Sequence, residues 1–274
     1  MNAAEAWASG LRSWAIPEEI LAAAPESPYG FPADLFRRRG EEARGGPATP
    51  TTQRALEALP EAGSVLDVGV GGGGTSLPLV GRASEVTGVD SQGDMLVAFV
   101  ATAERAGVRA ATVAGRWPDV KDEAPFADVV VCGHVAYNVA DLEPFVRALH
   151  EHARLRVVLE LTDRHPLVWM NDLWLAFHGV RRPEGPSADD AVALLAEMGI
   201  VANREDLPLA DDPAGNGFPA REDAIALVRR RLCLGSERDG DIAIALGDRL
   251  HDREGLWTAG PPHRSVVTLW WDTG

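Results

Sequence analysis

The stretch Ser64–Leu79, SVLDVGVGGGGTSLPL, places a short apolar strand pattern in front of four consecutive glycines, Gly71–Gly74. Glycine loses more backbone freedom on folding than any other residue. A run of it directly after a strand therefore marks a place where a second backbone or a ligand comes close. A strand, a glycine turn and a helix, here read over TSLPLVGRA, aim backbone N–H groups at one point, which suits an anionic or carboxylate-bearing ligand. The dinucleotide pattern G-x-G-x-x-G fits Gly69, Gly71 and Gly74, and a tight turn alone would fit it too. A P-loop is excluded, because no Lys-Ser or Lys-Thr follows the glycines.

Outward from this loop, strand and helix patterns alternate. EVTGVD, RAATVAG, ADVVVCGHV and RVVLEL read as strands, and MLVAFVATAERAG and LEPFVRALHEHAR as helices. The near-continuous apolar run ADVVVCGHV suits a strand buried on both faces. Strands alternating with helices predict a parallel sheet covered on both sides. SADDAVALLAEMG reads as a further helix, IVANREDLPL as a sixth strand and SVVTLWWD as a last one. The linker candidate is RGGPATPTT, residues 44–52.

The chain has 274 residues and a formal net charge of −15, which disfavours a phosphate backbone as partner. Its basic triplets, Arg37–Arg39 and Arg229–Arg231, read as solvated helix faces. No apolar run reaches membrane-spanning length and no secretory leader is visible, so the expectation is a cytoplasmic protein with no membrane partner. The two cysteines, Cys132 and Cys233, read as buried thiols. His150 and His152 diverge on a helix and make a poor chelate, so no metal is expected.

The acid before the first glycine is the most specific sign. LDVGVGGG has the form D-x-G-x-G-x-G, with Asp67, Gly69, Gly71 and Gly73, and the next strand ends in Asp90. This arrangement resembles motif I and the following acid of the class I S-adenosylmethionine-dependent methyltransferases. The resemblance covers about residues 60–210 and the final strand. It implies an α/β, Rossmann-like, seven-stranded, mostly parallel sheet with an antiparallel last strand and helices on both faces, plus a helical cap. Residues 1–60 would form an N-terminal helical cap segment. Residues 61–274 would form the methyltransferase domain, with cap insertions at about 165–186 and 210–260. The implied cofactor is S-adenosyl-L-methionine, with S-adenosyl-L-homocysteine as product. Its binding set would be Asp67, Gly69, Gly71, Gly73, Asp90, Ser91, Met95, Arg116, Trp117, Cys132 and Gly133. Asp90 would hold the ribose and Met95 would pack on the adenine; Arg116 and Trp117 stand where this family often has an acid.

For the acceptor, the fourth strand runs into CGHVAYNV and lacks the Pro-Pro of enzymes that methylate exocyclic amines. A small, partly apolar acceptor methylated on O, N or C is the expectation. An RNA or protein methyltransferase and a non-catalytic cofactor-binding protein are the alternatives, and a homodimer is left open. General-base candidates at the carboxyl edge of the sheet are His134, Tyr137 and His165, with Asp163 and Glu160 beside them. Satisfied structural histidines are the alternative at both His positions. Trp14, Asn138, Trp169, Trp174 and Phe177 are candidates for the acceptor pocket. For Asn138 a helix cap is the other reading, and for the aromatic stripe plain core.

Overall fold

A computed structural model describes residues 2–29, 44–209, 217–253, 255–261 and 264–274. Its centre is a seven-stranded sheet in the order β3-β2-β1-β4-β5-β9-β6. The strands are β1 Gly63–Val68, β2 Ala83–Asp90, β3 Arg109–Ala114, β4 Ala127–Gly133, β5 Ala153–Thr162, β6 Asn203–Leu209 and β9 Arg264–Asp272. β9 runs antiparallel to both its neighbours, with Leu159 opposite Leu269 and Glu205 opposite Thr268. All other pairings within this sheet are parallel. The seven-stranded, mostly parallel sheet with its inserted antiparallel last strand is thus the architecture expected.

Alternation of side chains sends Leu66, Cys132, Leu159 and Leu269 to one face and Val65, Val129, Val131 and Val158 to the other. The helices Leu142–His152 and Ala188–Glu197 cover the first face; Phe145, Val146, Leu149 and Leu194 are buried there. Helices Pro50–Ala58 and Gly93–Ala106 cover the second, through Ala55 and Phe99. Capping boxes start the helices at Asn2–Glu5 and Ser187–Asp190, satisfying N–H groups that a helix leaves unpaired.

The described residues before β1 divide into three parts. Helix Ala3–Arg12 lies beside Ala188–Glu197, and its Trp7 enters the first core. Ile16 and Ile20 join a separate cluster, and Pro50–Ala58 lies on the opposite face of the sheet. The separate cluster is built from Met170, Leu173, Trp174, Ile225, Val228 and Ile242. It unites residues 165–186 with the helices Arg221–Arg231 and Asp239–Leu246 and with a hairpin, β7 Leu250–Arg253 and β8 Leu256–Ala259.

Three readings need correction. TSLPLVGRA is not a regular helix: only Leu77–Leu79 form a single 3-10 turn. Pro78 has no N–H to donate and disfavours the α conformation at Leu77. Trp174 is a core residue of the cap, buried with Leu173 in helix Asn171–His178. Trp169 and Phe177 pack against the same cluster, beneath Arg249 and Arg238, so the aromatic stripe belongs to that core. Arg229–Arg231 are not a solvated face either. Arg229 donates to both oxygens of Asp239, at 3.0 and 2.8 Å. Arg230 donates to the carbonyls of Ser27 and Tyr29, and Arg231 to that of Pro28. Arg37–Arg39, with Phe31 and Phe36, lie outside the described residues.

Candidate cofactor and acceptor site

β1 delivers Asp67 and the glycine loop to the carboxyl edge of the sheet. Gly69 has φ +75° and a side chain there would meet Val135 Cγ2 at 2.2 Å, so only glycine lets the ends of β1 and β4 come together. Gly133 is tight for the same reason, its missing Cβ 2.2 Å from Thr75 Oγ1. Asp90, at the end of β2, ties the loop in place: Oδ2 accepts from the Gly71 N–H at 3.0 Å and Oδ1 from the Gln92 N–H at 2.9 Å. Asp67, Gly69, Gly71, Gly73, Asp90 and Gly133 thus gather around the ends of β1, β2 and β4.

Asp67 is fully buried and neither carboxylate oxygen has a hydrogen bond among the described residues. The Ser76 hydroxyl and N–H lie beside it and favour its charged form, yet neither closes a hydrogen bond of good geometry. Burial pushes its carboxyl up to about 7, and the charges of Asp90 and Glu160 add to the rise against the opposing Ser76. A buried carboxylate without a hydrogen bond, with two more acids acting on it, favours a cation as its partner.

The remaining candidates separate. Ser91 and Arg116 are exposed at the ends of β2 and β3, and Met95 is buried in the first turn of Gly93–Ala106. Trp117 is a core residue, its Nε1 donating to the Phe145 carbonyl at 3.3 Å. Cys132 is also core: burial raises its thiol well above the usual value, with the Asp67 charge adding. Both side chains pack in the first core. Asn138 is exposed in the turn Ala136–Asn138 and caps no helix; the helix that follows, Leu142–His152, has Asp141 at its N-cap.

Of the three base candidates, two are held structurally. The Tyr137 hydroxyl donates to the Thr162 carbonyl at 2.7 Å, and burial raises its phenol above the ordinary range. His165 stacks on Trp14 with ring centres 3.8 Å apart, and its Nδ1 accepts from the Leu167 N–H at 3.3 Å. Burial, helped by Arg182, pushes His165 down to about 3, so it stays neutral. Trp14 itself donates to the Gly185 carbonyl at 2.6 Å. Trp14, His165, Tyr137 and Trp7 form one aromatic ladder that fastens the N-terminal helix to the sheet edge.

His134 is different. It sits at φ +59°, and its Nε2 lies 3.0 Å from Glu160 Oε1. The Thr51 hydroxyl donates to Glu160 Oε2, and Thr51 meets Thr268 at 2.7 Å. The motifs did not reveal Thr51 and Thr268; the only signal was Glu160, an acid inside the apolar run RVVLELT. Among the described residues no group of three or more His, Cys, Asp or Glu is placed to hold a metal, and no helix is long and apolar enough to cross a membrane.

A family model described as a methyltransferase domain matches residues 65–155. A ubiquinone biosynthesis O-methyltransferase of Azorhizobium caulinodans is 33% identical over 123 residues, 44% of this chain and 44% of that protein. The chain therefore spans less than half the length of that curated relative. Among solved structures, a Bacillus halodurans protein aligns at a TM-score of 0.53, with 16% identity over 81% of this chain and 96% of that one. A cyclopropane-fatty-acyl-phospholipid synthase-like protein of Lactobacillus casei aligns at 0.51, with 14% identity over 93% and 98%. At such identities the likeness is one of fold. S-adenosylmethionine, the cofactor that the D-x-G-x-G-x-G resemblance implies, carries an ammonium and a sulfonium, and the group of acids Asp67, Asp90 and Glu160 suits such a cation. Over residues 65–155 the chain is thus similar to a methyltransferase domain, in agreement with the acid and glycines of its first strand and loop.

Proposed function

We propose that the protein transfers a methyl group from S-adenosylmethionine to an oxygen, nitrogen or carbon of a small, partly apolar molecule. The observation that carries this reading is Asp67, buried without a partner at the foot of the glycine loop. In this reading Asp67 holds the cationic methionine end and Asp90 the ribose hydroxyls. The bound cofactor supplies an electrophilic methyl group on a sulfonium. The protein supplies alignment and a site that keeps water out, which together lower the barrier to displacement. Oxygen leads among the three acceptor atoms, because the curated relative is named an O-methyltransferase.

A small acceptor is favoured over RNA by the charge of −15 and by Arg229–Arg231, whose guanidinium groups are engaged within the fold. Two free buried thiols agree with a cytoplasmic setting. Calorimetric titration with S-adenosylmethionine, and separately with S-adenosylhomocysteine, is the test. Micromolar binding of both is expected, and no binding of either by the folded protein overturns the reading. In the same titration Asp90→Ala should weaken binding by about 1–3 kcal/mol, the range for removing a partner from a buried polar group. Unchanged affinity would take Asp90 out of the site.

A further inference from the structure

We propose that His134 takes the proton from a hydroxyl-bearing methyl acceptor, and that Glu160, fixed by Thr51, is the positioning residue that makes it able to do so. The proposal deepens the methyl-transfer reading and rests on it. Its ground is the chain of contacts behind His134. A carboxylate only accepts, so the 3.0 Å contact between Glu160 Oε1 and His134 Nε2 assigns the proton to Nε2. The lone pair then belongs to Nδ1, which has no hydrogen bond among the described residues. The Glu160 side chain is 15% exposed and that of His134 46%, so the acid is the inner member and the imidazole the outer one. Glu160 Oε2 accepts from the Thr51 hydroxyl. Thr51 has thereby used its own hydrogen, so in their 2.7 Å contact Thr268 donates to Thr51. Both threonines are buried, which makes this a fixed chain rather than a surface contact.

Backbone and position agree. A histidine at φ +59° is in a region that non-glycine residues rarely adopt, and such strain gathers at sites where a side chain must be aimed. The strain is held by the His134 N–H, which donates to the Glu160 carbonyl at 2.8 Å. His134 directly follows Gly133, which abuts Thr75 of the glycine loop, and the Glu160 charge acts on Asp67. The pair therefore lies beside the glycine loop and Asp67.

This arrangement suits a hydroxyl. A neutral amine attacks with a lone pair it already has and sheds its proton afterwards, whereas an un-ionised hydroxyl is a poor nucleophile until its proton is accepted. The oxygen lone pair forms the bond to the methyl carbon as the carbon–sulfur bond breaks, with that bond's electron pair staying on sulfur as a neutral thioether. The hydroxyl proton passes to His134 Nδ1, and the imidazolium is balanced by the Glu160 carboxylate. Water then takes the proton, and no other reactant is needed.

The test uses 4-nitrophenol, whose phenolate absorbs visibly, with the full-length protein saturated with S-adenosylhomocysteine. In the wild type, bound phenol should show its phenolate band at lower pH than the free compound. His134→Asn should abolish that displacement, and Glu160→Gln should reduce it; asparagine tolerates the left-handed backbone, so the variant should fold. With catechol and S-adenosylmethionine, His134→Asn should lower kcat about 100-fold with cofactor affinity unchanged. Glu160→Asp should restore part of the rate lost in Glu160→Gln. Failure of the loaded protein to bind 4-nitrophenol, or identical phenolate titrations in wild type and His134→Asn, overturns the proposal. If calorimetry shows that neither cofactor form binds, the methyl-transfer reading fails by itself. The phenolate shift, measured without cofactor, then decides the His134 assignment separately.

Discussion

Asp67→Asn is expected to raise the stability of the ligand-free protein while it weakens cofactor binding. The Asp67 carboxyl has its ordinary value of 3.8 in the unfolded chain and about 7 in the folded one. Below the lower value both states hold the proton and the residue makes no difference to stability. As pH rises between the two, the unfolded state releases the proton and the folded state keeps it, so stability falls with pH. Beyond the upper value the whole penalty is present, on the order of 4 kcal/mol for a separation of this size. Asparagine carries no charge to desolvate, but it leaves a buried amide in search of partners, which takes back about 1–2 kcal/mol. A net gain of about 2–3 kcal/mol in urea unfolding is therefore expected above neutral pH, shrinking towards zero or below it in acid. Affinity for S-adenosylmethionine should move the other way. In the wild type it should fall by up to about tenfold per pH unit below neutrality, because the carboxyl must lose its proton to receive a cation. The variant should bind at least about tenfold more weakly at alkaline pH and show no such slope. Equal affinity of the two proteins at alkaline pH would remove Asp67 from the site.

The parts of this molecule legible in its sequence are those governed by neighbours in the chain. The acid and glycines from Asp67 to Gly73 sit within one strand–turn unit, and Asp90 closes the adjacent strand, so short-range spacing locates them. Runs such as ADVVVCGHV announce a strand buried on both faces, and SVVTLWWD has the alternation of a strand beyond the last helix. What failed depended on distant partners or on one overriding residue. Pro78 turned an apolar helix pattern into a single turn. Trp169, Trp174 and Phe177 fit a pocket wall and a core stripe equally well until Ile225, Val228 and Ile242 are brought against them. The hairpin of β7 and β8 consists of four-residue strands too short for periodicity to register. Thr51 meets Glu160 across 109 residues of chain, a pairing no local pattern encodes.

Trp7→Ala is expected to lower stability by about 3–5 kcal/mol, the range for truncating a large buried aromatic side chain. Trp7 is 0% exposed, although it lies only six residues from the first residue of the chain. Its Nε1 donates to the Val139 carbonyl at 2.8 Å, and its ring stacks on Tyr137 with centres 5.5 Å apart. The helix Ala3–Arg12 is therefore a member of the layer that covers the sheet and not a detachable lid, and its loss should register as global destabilisation. Trp7→Phe separates the two contributions: it keeps an aromatic ring against Tyr137 but leaves the Val139 carbonyl without its donor, for an expected loss of about 1–3 kcal/mol. A wild-type urea midpoint in Trp7→Ala would mean that the helix contributes nothing to the folded core. The effect should also reach the site. Trp7 holds both Tyr137, within the turn leading away from His134, and Val139, which ends it. Under conditions where Trp7→Ala remains folded, turnover should therefore fall more than cofactor affinity, because Asp67 and Asp90 stand on β1 and β2 whereas His134 leads directly into that turn.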